Sequence, residues 1–517
     1  MNERSGPGSP QGRWTAVALL TIGIGLFVIS NGRWIVPAAA WLAPVLLLRF
    51  ARGGRGALRL PLLFAGIAIA ARVMLFGIIP DFLGLLAYLL TLFYALQWFL
   101  PYLADRLVAG RMAGFVSTLV FPATVVGGEY LAGLPYGTWG AWAYTQVGNL
   151  PVVQVASLTG MWGISFLVTW FGAVVNWAWA RRWEWARVRV GVATFAAVVV
   201  GVVLFGGVRL ASAPALPSIR VAGFTAKAET ESFAAALQGL GGSSFSEMAR
   251  RDQAALRAAA WCFYEKVLAR TETLAREGAS IVLWPEGGLR VLPEDETALL
   301  DKVAAVSRRS GAYVLAAYTV APAERAVGRG LNKDVLLDPH GAVVWDFRKA
   351  HLVPGAREIP GDGVVPVAET PLGRLATVIC YDADFPGFVR QAGHAGVGLM
   401  LVPAWDWRAI DPLHAFMATL RGVENGCSLV RQTGMGLSIA TDAYGRLLAV
   451  TDHFTSASPT MIVEVPTGHV GTLYGMTGDL FAWLCIAFVA VAVLGLFLAA
   501  RGLTRSPSLA AERPDSA

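Results

Sequence analysis

Charge is scarce in this chain: Asp, Glu, Lys and Arg make up only 15% of its 517 residues, against roughly a quarter in an ordinary soluble protein. A single water-soluble globule is thereby excluded. Cysteine is scarcer still. The four residues, at 262, 380, 427 and 485, show no CxxC spacing, so neither a disulfide framework nor a cysteine metal site is expected. No small-residue cleavage site follows the first apolar stretch, and more such stretches come after it, so it does not read as a cleavable leader. The net charge of +7 comes mostly from arginine. Residues 218–468 carry no basic cluster, so nucleic acid is not an expected partner. No cofactor and no metal are expected.

Apolar surface is what the chain has in excess, at 55% hydrophobic residues. It fills residues 14–210 and returns at 479–500, with ordinary composition between. Windows of about 17–25 apolar residues mark transmembrane helices. They predict spans near 14–30, 34–50, 60–79, 82–104, 113–133, 152–179 and 188–210, then 479–500. The expected fold class is a polytopic α-helical membrane domain of about eight helices, with an α/β unit inserted before the last one. Arginines cluster on alternate loops: Arg4 and Arg13; Arg49, Arg52, Arg55 and Arg59; Arg106 and Arg111; Arg181, Arg182, Arg187 and Arg189; Arg501 and Arg505. The positive-inside rule then puts both termini in the cytoplasm and the insert on the opposite face. Arg72 and Glu129 fall within spans, where ionisable groups either snorkel or face an interior or a cavity.

ASAPALPS at 211–218 reads as a linker, and residues 218–468 as the insert. Short apolar runs there, including 218–224, 280–284, 313–319, 375–380, 398–402 and 428–432, alternate with helical stretches such as 246–277, 294–310 and 412–424. That alternation predicts an α/β fold with helices over the sheet faces. The tail 503–517 (TRSPSLAAERPDSA from 504) reads as disordered.

Three of these apolar runs end in reactive groups: Glu286 in VLWPEGG, Lys349 in VVWDFRKAHLVP and Cys380 in VICYD. An acid, an amine and a thiol at separate strand ends are the parts needed for covalent acyl transfer. Glu286 can take the thiol proton. Lys349 can hold the thiolate and then the oxyanion, with the N–H of Tyr381 as second donor. Each residue also has a plainer reading: Cys380 as a packed thiol, Glu286 as a helix cap, Lys349 as half of a surface pair. Cys262 and Cys427 read as structural, and His351 and His414 as orienting or packed groups. Trp405 and Trp407 suit an interfacial lid or core packing.

Taken in order, VLWPE, FRKAHLVPG and VICYD resemble the Glu-Lys-Cys pattern of the nitrilase (carbon–nitrogen hydrolase) superfamily, and RGVENGCSLVRQTGMG at 421–436 resembles its later Arg…Glu-Asn segment. The resemblance implies a four-layer α-β-β-α sandwich over about 218–468 and a supporting role for Glu358. The stretches FPATVVGGEYLAGLPYGTWGAWAYTQVGN and SLTGMWGISFLV resemble the membrane region of bacterial apolipoprotein N-acyltransferases. That family resemblance implies a phospholipid-dependent N-acyltransferase of the bacterial inner membrane with its catalytic unit on the periplasmic side. Its partners would be a glycerophospholipid acyl donor, a diacylglyceryl lipoprotein acceptor and membrane lipid. The alternatives are a membrane-anchored amidohydrolase with water as acceptor, or a transporter or scaffold. Departures from the family pattern lie around the triad. The entry strand reads RVAGFTAK, Gly355–Glu358 carries one extra residue, Asp382 stands where Glu is usual, and PAWDWRAIDP replaces the usual lid loop.

Overall fold

The computed structural model describes residues 10–53, 57–322 and 329–501. The tail 503–517 and Arg4, Arg55 and Arg505 lie outside the described residues.

Helices occupy all eight predicted positions. They are α1 (Pro10–Ser30), α2 (Pro37–Arg52), α3 (Arg59–Met74), α4 (Leu85–Leu107), α5 (Val120–Tyr136), α8 (Met161–Ala180) and α9 (Trp185–Ala211), with α17 (Leu480–Ala500) at the far end. Six stretches among the described residues, all but α2 and α3 of these, are long and apolar enough to cross a membrane. At 1.5 Å per residue the 16-residue α2 and α3 reach only about 24 Å, short of a ~30 Å hydrocarbon core. α2 instead lies inside the bundle, with Ala40, Ala43, Leu47, Leu48 and Ala51 buried. Gly172 of α8 lets it come close: a Cβ there would sit 2.8 Å from Pro44. The predicted span 152–179 is corrected. The chain forms two short turns, α6 (Leu150–Val153) and α7 (Ala156–Thr159), and breaks at Gly160 before α8. Gly160 has φ +65°, and a Cβ would meet the Tyr474 ring at 2.5 Å, so only glycine suits the break.

Between α9 and α17 the chain builds two sheets. The first runs β13–β1–β2–β4–β5–β6 with β3 beside β4, and the second β12–β11–β10–β9–β8–β7. Its strands are β1 (Ser218–Phe224), β2 (Ile281–Leu283), β3 (Leu289–Val291), β4 (Tyr313–Val320), β5 (Leu331–Leu337), β6 (Val343–Arg348) and β13 (Thr460–Pro466). The second sheet holds β7 (Val367–Thr370), β8 (Gly373–Thr377), β9 (Leu399–Ala404), β10 (Ser428–Thr433), β11 (Leu437–Thr441) and β12 (Leu447–Asp452). Side chains alternate between two cores, as the pleat requires. Ile281 and Leu283 of β2 face the second sheet, packing with Leu399 and Val430. Val282 between them faces outward, against Leu256, Phe263 and Val303. Those three come from α12 (Gln253–Arg276) and α13 (Glu296–Ser310), which with α10 (Lys227–Gly239) and α11 (Phe245–Arg251) cover the first sheet. α14 (Pro386–His394) and α15 (Leu413–Asn425) cover the second, and the one-turn α16 (Leu473–Thr477) leads to α17. The layers are α-β-β-α, as expected.

Two boundaries differ from the sequence reading. The helix expected over 246–277 is split at Asp252, whose carboxylate caps the next helix through Ala255 N (2.9 Å). The strand expected to reach Cys380 stops at Thr377, and Cys380 opens a 3₁₀ turn, Cys380–Asp384.

Candidate active site

Parallel pairing of β1, β2 and β4 in one sheet and of β8, β9 and β10 in the other gathers their C-terminal ends at one edge. Glu286 follows β2, Lys349 follows β6 and Cys380 follows β8. Lys349 Nζ donates to Glu286 Oε1 at 2.6 Å, and Asn332 Nδ2 donates to the same oxygen at 2.7 Å. All three triad residues are buried. They line a cavity of about 610 Å³ together with Asn332, Glu358, Trp405 and Trp407.

Burial and the nearby Glu286 push the Cys380 thiol well above its ordinary range, against the pull of Lys349 and Arg431. Burial works against the Lys349 ammonium, but Glu286 and Cys380 outweigh it and raise the group. The Cys380 thiol thus stands beside the 2.6 Å Lys349–Glu286 ion pair. The Cys380 backbone has φ +50°, a left-handed conformation that costs a non-glycine residue about 1–3 kcal/mol. That turn aims Sγ into the cavity, 3.7 Å from the carbonyl oxygen of Trp405.

Asp382 holds the turn. Its carboxylate accepts from Ile379 N (3.1 Å), Ala350 N (3.1 Å) and His351 N (2.6 Å). One buried anion thus ties the segment after Lys349 to the segment before Cys380. Glu358 lines the cavity half-buried; burial raises its carboxyl, Lys349 lowers it and Glu286 raises it again. Tyr381 points its hydroxyl away from the triad, donating to Tyr136 O at 2.6 Å. Trp405 is 39% exposed at the cavity wall. Trp407 is partly buried and donates from Nε1 to Gly77 O at 2.7 Å, bridging the sheet domain to the turn after α3.

A second buried cluster lies against the nucleophile. Asp406 takes both Arg431 nitrogens, at 2.7 and 2.8 Å, and His414 Nδ1 at 2.7 Å, while His414 Nε2 faces Asp384 Oδ1 at 3.2 Å. Ligand atoms of Cys380, Asp406 and His414 lie within 4.8 Å of one another. Asp406 is already saturated by Arg431, and His414 meets a carboxylate at each nitrogen. This donor set is an ion-pair network, not a vacant metal site. Burial alone would raise Asp406, but Arg431 and His414 hold it down at about 2. Burial would lower His414, yet Asp384 and Asp406 lift it to about 9.

From the membrane side a narrow apolar cleft of about 70 Å³ reaches Cys380 between Leu75, Ile79, Leu90, Tyr94 and Ile410. Cys380 therefore stands where a polar cavity and an apolar cleft meet.

Comparison with known proteins agrees with this two-part construction. Residues 22–174 match the apolipoprotein N-acyltransferase N-terminal domain, and residues 248–473 match the carbon–nitrogen hydrolase domain. The chain belongs to the apolipoprotein N-acyltransferase family. The apolipoprotein N-acyltransferase of Geobacter metallireducens is 26% identical over 502 residues, 87% of this chain and 89% of that protein. That of Gloeobacter violaceus is 28% identical over 432 residues, 77% of this chain and 75% of that protein. Among solved structures, an amidase from Nesterenkonia sp. is 19% identical and aligns over 49% of this chain and 94% of its own, with a TM-score of 0.36.

Sequence reasoning missed several residues in this family member's site. Asn332 holds Glu286 from β5, two strands away from β2 in the sheet, and nothing in LNKDV signals it. Asp406 and Arg431 are remote in sequence and meet only after folding, around His414, which the sequence marks as an orienting or packed group. Glu129, one of the two intramembrane charges the sequence marks, accepts from Trp142 N at 2.8 Å and pins the loop beyond α5.

Proposed function

We propose that this chain transfers an acyl chain from a glycerophospholipid, through a thioester on Cys380, to the N-terminal amine of a diacylglyceryl-cysteine lipoprotein. One observation carries the reading: Cys380, beside the 2.6 Å Lys349–Glu286 pair, sits at the junction of the polar cavity and the apolar cleft between membrane helices. A hydrolase of small soluble amides has no use for that cleft.

In this mechanism Glu286 takes the Cys380 proton as Sγ attacks the ester carbonyl. Lys349 and the Tyr381 N–H, at the start of the 3₁₀ turn, receive the oxyanion. Collapse expels the lysophospholipid alkoxide, which leaves as an alcohol with the proton from Glu286. The acceptor amine then attacks the thioester, gives its proton to Glu286 and releases the Cys380 thiolate, which takes that proton back. Glu358 tunes the Glu286–Lys349 pair, Asp382 sets their geometry, and Trp405 and Trp407 close the cavity. The helices within 14–210 and 479–500 all belong to the membrane part, and 218–468 is the catalytic unit. With arginine-rich loops and both termini cytoplasmic, that unit lies outside the cytoplasm, beside the outer leaflet.

Intact mass spectrometry of the purified protein incubated with phospholipid tests this. A hydroxylamine-sensitive acyl adduct is expected on the wild type and not on Cys380→Ala, and a diacylated lipopeptide should discharge it. No adduct from any phospholipid would transfer the assignment to amide hydrolysis.

A further inference from the structure

Arg72 lies in a stretch that the sequence marks as a span, and the chemistry above makes no use of it. A charge at membrane depth normally faces a protein interior or a polar cavity. Arg72 sits in the last turn of α3, its guanidinium carbon 4.9 Å from the centroid of the Phe76 ring and 5.7 Å from that of Tyr88. With Tyr88, Thr91 and Gly84 it lines a cavity of about 240 Å³. The remaining walls include Leu75 and Ile79, which are also walls of the cleft that ends at Cys380. A guanidinium, a phenol and a hydroxyl therefore adjoin the apolar route to the nucleophile.

The cavity lies on the side of the bundle that meets the catalytic unit. α3 begins at Arg59, in the arginine-rich loop, and ends towards the catalytic unit. Gly77, just beyond it, accepts from Trp407 and would place a Cβ 3.0 Å from Ala409. Arg72 is thus at the end of α3 that meets the catalytic unit. A cation in a last turn complements the helix dipole, and ring contacts steady it. Neither explains a polar cavity that shares walls with the apolar cleft leading to Cys380.

We propose that the Arg72 cavity binds the phosphodiester of the acyl-donor lipid while its ester carbonyl lies at Cys380. The inference rests on the reading that the donor is a glycerophospholipid. Guanidinium presents paired N–H groups to two phosphate oxygens. The phosphodiester and ester of a glycerolipid are joined through one glycerol, which suits two compartments with common walls. The site selects the phosphate, so different headgroups are accepted and neutral glycerolipids are disfavoured.

The test compares thioester formation at Cys380 from phosphatidylethanolamine and from diacylglycerol with the same acyl chains. It uses the full chain in detergent, as wild type, Arg72→Gln and Arg72→Lys. The ratio of the two rates should fall about tenfold or more in Arg72→Gln, through the KM for phospholipid, and recover in part in Arg72→Lys. An unchanged ratio overturns the proposal, whether both rates fall together, as for a packing residue, or neither does. Wild type that forms no thioester from phospholipid at all defeats the donor reading itself, an outcome visible before any variant is made.

Discussion

Tyr381 donates its hydroxyl hydrogen to the main-chain carbonyl of Tyr136, 2.6 Å away, so the residue beside the nucleophile is fastened to the end of a membrane helix. Thr138 reinforces the contact, its N and Oγ1 each donating to Asp384 O at 3.0 Å. Removing one such bond costs about 1 kcal/mol, or roughly a fivefold change in an equilibrium. Tyr381→Phe should therefore slow thioester formation about fivefold while keeping its helix content. Wild-type rates in that variant would show that the anchor does not orient Cys380.

Glu286 has two opposed effects on Cys380. In the proposed mechanism it is the base for the thiol proton, yet its charge is among the causes that raise the thiol. Glu286→Gln removes the base but leaves Lys349 to attract a thiolate. Acyl transfer should fall by about 10²–10⁴, the usual contribution of a general base. Alkylation of Cys380 by iodoacetamide near neutral pH should become faster than in the wild type. Slower alkylation would mean that Glu286 does not electrostatically oppose the thiolate.

The ion pairs behind the nucleophile predict how stability varies with pH. His414 is lifted to about 9 from 6.5, so its protonated form contributes fully below pH 6.5, and that contribution is lost as pH rises through about 9. Asp406, lowered from 3.8 to about 2, contributes above pH 3.8 and loses its share only as pH falls through about 2. Thermal unfolding in detergent should show a falling midpoint between these His414 limits, and a flatter profile in His414→Gln. Parallel curves for the two proteins would refute the assignment of that charge to His414.

Much of this arrangement was legible in the amino-acid order. The strand cores were readable because apolar runs such as Ile281–Leu283 and Leu399–Ala404 are bounded by polar or turn residues. That Glu286, Lys349 and Cys380 would meet was readable because each follows such a run within a few positions. The turn at Cys380 was not, since VIC continues the apolar pattern while the backbone takes φ +50°. Only tertiary bonds, those of Asp382 above all, hold a cysteine in that conformation. Gly160 hid in an apolar window that hydropathy alone reads as continuous, whereas its neighbour Tyr474 comes from the other end of the chain. β3 and β7, at three and four residues, are too short for alternation to register. Asn332, Asp406 and Arg431 earn their places through partners remote in sequence, which a single sequence does not reveal.

Helix α15 belongs to two cores at once. Leu413, Met417, Leu420 and Val423 pack among the membrane helices, while Ala418 on the same helix packs under the second sheet. Glu424 near its end accepts from Met161 N at 2.8 Å, at the first residue of α8. The chain therefore has a linker between its halves but no seam. A cut in the segment 212–217 would sever the covalent path and leave the two pieces sharing a wall. Whatever loosens the bilayer-embedded helices is felt one helix away from the thiol, which makes the state of the lipid around the protein part of the environment in which the nucleophile works.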